Sequence, residues 1–79
     1  MHITITYSAA EGFEDAALAL ARRVFAQYDE AVESLVLVPV TDEDLALYLD
    51  GGLVHSASRS GRLPLVADLR AVLATRGSD

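Results

Sequence analysis

The sequence predicts an α/β domain in which a mixed four-stranded sheet, built in the order β-α-β-β-β-α, carries two helices on one face. Three observations lead there. Ile3, Ile5 and Tyr7 alternate with His2, Thr4 and Thr6, the period-two signature of a strand with one buried face. Asp50-Gly51-Gly52 separates two short apolar runs and supplies the positive-φ residues that a tight hairpin demands. Between them lies an amphipathic stretch followed by an almost continuous apolar strand. The first two strands therefore flank a helix, and such a crossover makes them parallel neighbours in one sheet with a right-handed connection.

In chain order, the first strand runs to about Tyr7. From about Gly12 to Tyr28, apolar Phe13, Ala17, Leu20, Val24 and Tyr28 recur at three- and four-residue spacing, while Glu14, Asp15, Arg22 and Arg23 fall at other angles, which makes an amphipathic helix. Ser34 to Val38 reads as a buried strand closed by Pro39. Thr41-Asp42-Glu43-Asp44 is expected to form a solvated turn, since it lacks the glycine and terminal glutamate of a calcium loop. Leu45, Leu47 and Leu49 then alternate with Ala46, Tyr48 and Asp50 in a third strand, and Leu53 to Ala57 returns antiparallel to it. Ser58 to Arg62 is expected to be a polar loop. Pro64 stands at the first position of the last helix, which places Leu65, Leu69, Val72 and Leu73 on one face, Arg70 and Arg76 toward its end and Gly77 as its cap. With both helices on one face, the other is left with His2, Thr4, Thr6 and Tyr48.

Residues 1–79 suit a single domain near the lower size limit for one hydrophobic core, without repeat, linker or low-complexity tract. Six arginines face twelve acidic residues, for a net charge of -6. No basic stripe is long enough to neutralise several phosphates, so no nucleic-acid partner is expected. There is no lysine, which excludes Schiff-base chemistry. No apolar run approaches the ~18 residues of a membrane span, and the N-terminal alternation is unlike a signal peptide, so a cytoplasmic location is expected. His2 and His55 would approach each other if the first and last strands were neighbours, but two imidazoles without a third ligand make a poor metal site. Neither a metal nor a cofactor is expected. The chain also has no cysteine, so it cannot exchange disulfides, attack through a thiolate or hold a metal through sulfur ligands.

In such a domain, the loop from the first strand into the first helix is the natural place for chemistry, because helix N-terminal amides stabilise an anion there. Here it is Tyr7-Ser8-Ala9-Ala10-Glu11-Gly12-Phe13. This segment resembles the selenoprotein W/T/H (Rdx) family, whose first strand leads into Tyr-Cys-x-x-Cys-Gly-Tyr/Phe. Tyr7, Gly12 and Phe13 match that pattern, and the two redox positions fall on Ser8 and Glu11. Leu35-Val36-Leu37-Val38-Pro39 is similar to the family's second strand. Leu49-Asp50-Gly51-Gly52-Leu53-Val54-His55-Ser56 resembles its hairpin, and Gly61-Arg62-Leu63-Pro64 resembles its Gly-Arg-Phe-Pro approach to the last helix. The resemblance implies a thioredoxin-like fold over essentially the whole chain.

The family's proposed redox role does not carry over, because neither Ser8 nor Glu11 can form a disulfide. Ser8-Ala9-Ala10-Glu11 instead spells a capping box for the first helix. The leading expectation is a redox-inactive domain that binds a partner protein, with Tyr7, Ser8, Glu11, Phe13, His55, Arg59, Arg62 and Leu63 as its interaction surface. A contrasting expectation is a small-molecule binder or non-thiol enzyme that uses Ser8, Glu11, Arg62 and a histidine. No Gly-x-Ser-x-Gly elbow supports serine catalysis, and arginines in a loop are ordinarily solvent-facing. A third is a homo-oligomer that pairs through an exposed strand edge or the open sheet face.

Overall fold

Strand β1 (His2–Ser8) lies inside a four-stranded sheet of order β2-β1-β3-β4. The computed structural model describes residues 1–10 and 12–77. β1 runs parallel to β2 (Ser34–Val40) and antiparallel to β3 (Leu45–Leu49), which turns back into β4 (Gly52–Ser56). α1 (Glu14–Tyr28), followed by a 3-10 turn at Asp29–Ala31, makes the crossover between the parallel strands. α2 (Ala57–Ser60) is a single turn, and α3 (Val66–Gly77) ends the described chain.

The alternation read in the sequence decides which side is buried. Ile3 and Ile5 of β1 and Leu45, Leu47 and Leu49 of β3 form one core with Ala17, Leu20, Ala21 and Val24 of α1 and Leu69 of α3. Both long helices thus cover the same face. The other face keeps His2 exposed and Thr4, Thr6 and Tyr48 half-buried, as the pattern predicts. The hairpin turn has positive φ at Asp50 (49°) and Gly51 (86°), the type I′ geometry whose twist matches its strands. His2 and Asp50 exchange backbone and side-chain hydrogen bonds, His2 N to Asp50 Oδ1 and Asp50 N to His2 O, each at 2.8 Å.

Several boundaries differ from the sequence reading. β2 continues through Pro39 to Val40, because it is an edge strand and a missing N–H there breaks no ladder. Residues 57–60 form the helical turn α2, closed by Gly61 at φ 81°, where Ala57 was expected to end the last strand and Ser58 to Arg62 to form a polar loop. α3 begins at Val66, so Pro64 lies before the helix and is buried, and Leu65 is exposed rather than on the core face. β3 and β4 have a β-bulge: Leu47 pairs with His55 and Tyr48 with Leu53, leaving Val54 extra. Finally, β1 and β4 are separated by β3, so His2 and His55 do not stand on neighbouring strands.

Candidate functional site

The end of the sheet where β1 and β4 finish and β3 starts gathers two loops, 9–13 and 57–65, around one residue of the β2–β3 connection. Asp44 accepts the Ser8 amide on its backbone oxygen at 3.0 Å. Its carboxylate accepts the amides of Leu45 (2.8 Å) and Ser58 (2.9 Å) and the hydroxyl of Ser56 (2.8 Å). The Ser58 amide belongs to the first turn of α2, so Asp44 caps that helix from a distant part of the chain. Burial works to raise the Asp44 pKa, and the hydrogen bonds from Ser58, Ser56 and Leu45 outweigh it, leaving the carboxyl below its ordinary value. Asp44 is therefore a half-buried tie among three strands and a helix, and not part of a merely solvated turn.

The N-cap residue of α1 is Phe13 and not Ser8. Ser8 pairs with Val40 as the last residue of β1, and its side chain is fully buried. The loop closes through backbone groups, with the Phe13 amide donating to the Ser8 oxygen (3.2 Å) and the Gly12 amide to the Ala9 oxygen (3.2 Å). The helix starts only at Glu14, with Phe13 at the N-cap position and no side-chain cap. Strand pairing extends to Ser8, five residues before the N-cap position of α1. Glu11, expected as the other half of that box and as a site residue, lies outside the described residues.

The second loop is held by side chains. Arg62 grips Asp68 through two nitrogens at 2.6 and 2.9 Å, a bidentate pair. Asp68 is the third residue of α3 and reaches back to accept the Leu65 amide at 2.8 Å, the carboxylate half of a capping box. The Arg62 hydrogen bonds, then the Leu65 amide and His55, overcome desolvation and hold the Asp68 pKa at about 2. Asp68 in turn raises the pKa of Arg62.

His55, Ser60 and Asp68 have the outline of a catalytic triad, with Ser60 Oγ 2.6 Å from His55 Nε2 and Asp68 Oδ2 3.7 Å from Nδ1. The Arg62 carbonyl decides against that role. It lies 3.1 Å from the same Nε2 and can only accept, so it competes for the hydrogen-bonding groups of both side chains. The Ser60 hydroxyl itself donates to the Arg62 oxygen at 2.9 Å. The cluster works as a latch on the loop backbone.

Among the expected site residues, Tyr7, Phe13 and His55 are half-buried and Ser8 is buried, while Arg59, Arg62 and Leu63 are exposed. Both terminal nitrogens of Arg62 are taken by Asp68. Asp44, Ser60, Leu65 and Asp68 were missed as site residues. Asp68 had a local signal, an acid three residues into a helix that follows a proline. Asp44 had none, because its side-chain partners Ser56 and Ser58 stand twelve and fourteen residues away.

Neither a protein-family model nor a curated protein matches the chain. Solved structures do. The selenoprotein W-related protein of Vibrio cholerae superimposes with a TM-score of 0.80 at 18% identity, over 89% of this chain and 88% of that one. This chain has the selenoprotein W-like fold. A protein of Bordetella parapertussis has the same architecture, with a TM-score of 0.82 at 17% identity over 95% of each chain. The thioredoxin-like arrangement expected from the residue resemblance is thus present in three dimensions, on a chain with no cysteine. Among the described residues, no group of histidines and acids is arranged to hold a metal, and no helix is long and apolar enough to cross a membrane.

Proposed function

We propose that the chain is a redox-inactive, cytoplasmic, selenoprotein W-like module that binds a partner protein through the end of the sheet formed by the 57–65 segment and the neighbouring β1–α1 loop. The carrying observation is the outward display of Leu63 and Leu65, 44% and 46% exposed, on a segment whose backbone is fixed from behind by Asp68, His55, Ser60 and Asp44. Scattered surface leucines are ordinary. A pinned loop that presents two of them has already lost part of the conformational entropy that docking would cost. Covering their exposed halves would contribute roughly 1 kcal/mol each.

The burial of Ser8 and the commitment of Arg62 to Asp68 weigh against a small-molecule or non-thiol enzyme site built on those two side chains. The test is a photo-crosslinking amino acid in place of Leu63, in cells of the source organism. A discrete adduct lost with Leu65→Asp but kept with Leu18→Asp, on exposed α1 surface, is expected. No adduct, or one indifferent to Leu65, would end this reading.

A further inference from the structure

The hairpin end of the sheet, away from the loops described above, holds a cavity of about 230 Å³ between the β3–β4 turn and the last turns of α3. A missing side chain makes room for it. Gly52 pairs with Leu49 across the ladder, and residues paired in this way share a face, here the face that α1 and α3 cover. Leu49 fills its place and is buried, whereas a Cβ at Gly52 would meet only the Leu49 carbonyl oxygen, at an ordinary 3.5 Å. Val72 and Arg76 line the opposite wall, four residues apart and so on one side of α3. Leu53 and Val54 close the β4 side.

The apolar walls and the charge lie in the same place, because Asp50 and Arg76 line this cavity together with Leu49, Val54 and Val72. Both oxygens of Asp50 are in use: Oδ1 accepts the His2 amide at 2.8 Å, and Oδ2 accepts Nη1 of Arg76 at 3.2 Å. Arg62 spends both terminal nitrogens on Asp68. Arg76 donates from Nη1 alone, and its side chain is about half exposed. Its Nε–Nη2 edge therefore remains, the geometry that takes a carboxylate through two parallel hydrogen bonds.

We infer that the cavity binds a small aliphatic monocarboxylic acid, with the carboxylate on the free edge of Arg76 and the chain among Leu49, Val54 and Val72. A guanidinium offers only donors, so it selects an anion. One cation matches a single negative charge, and the apolar remainder of the lining suits an alkyl chain. The ligand carboxylate and Asp50 would share the guanidinium, one on each edge. A cavity of about 150 Å³ holds benzene, so this one has room for about nine non-hydrogen atoms. The site shares no residue with the loop end and stands whether or not that end binds a protein.

The test is an NMR titration of the isotope-labelled full chain with 4-methylpentanoate, its amide, acetate and inorganic phosphate. The first should give saturable amide shifts at Gly52, Leu53, Val54, Val72 and Arg76, and the other three should bind more weakly by about tenfold or more. Arg76→Gln should weaken 4-methylpentanoate by about tenfold or more. Gly52→Val puts a side chain into the cavity on a backbone without positive φ, and should remove binding while the rest of the spectrum stays as in the wild type. Asp50→Asn keeps a residue that tolerates the left-handed backbone (φ 49°) and should tighten binding severalfold, since the ligand then has the guanidinium to itself. Equal binding of acetate, the amide or phosphate, unchanged binding by Arg76→Gln, weaker binding by Asp50→Asn, or no saturable shift at these residues would each overturn the inference. Should Gly52→Val fail to fold, the Arg76 and Asp50 variants decide it.

Discussion

The β1–α1 loop holds its place through backbone groups, the Phe13 and Gly12 amides turning back onto Ser8 and Ala9, whereas the 57–65 segment is held through the carboxylates of Asp44 and Asp68. The two loops adjoin at Asp44, yet they answer to mutation differently. A loop closed by main-chain bonds survives changes of side chain, and a loop closed by carboxylates depends on two residues and on their ionisation. The first occupies the place where the resembling family keeps its thiols. The second carries the ordered polar network.

Asp44→Ala should give the largest loss. It strips acceptors from the Leu45 and Ser58 amides and from the buried Ser56 hydroxyl, at about 2–3 kcal/mol. Urea unfolding should show a lowered midpoint, and thermal unfolding a drop of about 10 °C or more. Asp68→Asn comes next, at about 1–2 kcal/mol, and should reshape the acid limb of stability. The folded pKa of Asp68 is depressed from 3.8 to about 2. Its contribution is therefore complete above the unfolded value and disappears as pH falls through the folded one. Asp44 and Asp50 shift in the same direction. The wild type should lose stability between about pH 5 and pH 2, and Asp68→Asn should lose measurably less over that range in urea titrations.

Gly61→Ala tests the α2 exit. An added Cβ meets open space, but φ of 81° is strained for any L side chain, so the cost should be about 1 kcal/mol, read by the denaturation midpoint. Ser8→Ala should be the mildest, at about 1 kcal/mol, because the backbone bonds from Phe13 to Ser8 and from Gly12 to Ala9 survive the substitution. If calorimetry ranked Ser8→Ala above Asp44→Ala, the contrast between the two loops would be wrong.

Much of the architecture was legible because it rests on local periodicity. Ile3 and Ile5, the three alternating leucines of β3, and the Ala17-Leu20-Val24 stripe of α1 all fall where their spacing puts them, and Asp50-Gly51 makes the expected turn. The site was less legible because it is assembled from residues distant in sequence. Asp44 looked like one of three solvated acids; its two neighbours are exposed, and only the fold brings Ser56 and Ser58 to its carboxylate. Ser8-Ala9-Ala10-Glu11 signalled a helix start near Ser8, whereas strand pairing runs through Ser8 and the helix begins only at Glu14. Pro39 misled in the same way, since what it ends depends on whether its strand has a neighbour on both sides.

The extra residue in β4 sets the phase of everything after it. Were Val54 paired with Leu47 instead of bulged out, strict alternation would oppose His55 to Ala46 on the helix-free side and send Ser56 inward. With the bulge, His55 shares a face with Leu47 and reaches Asp68, while Ser56 lines up with Ala46. The histidine's place is thus decided by counting rather than by its chemistry. Removing Val54 would erase the bulge and leave His55 opposite Leu47 in plain alternation, so the bulge is what lets a strand of this length deliver the histidine to the latch.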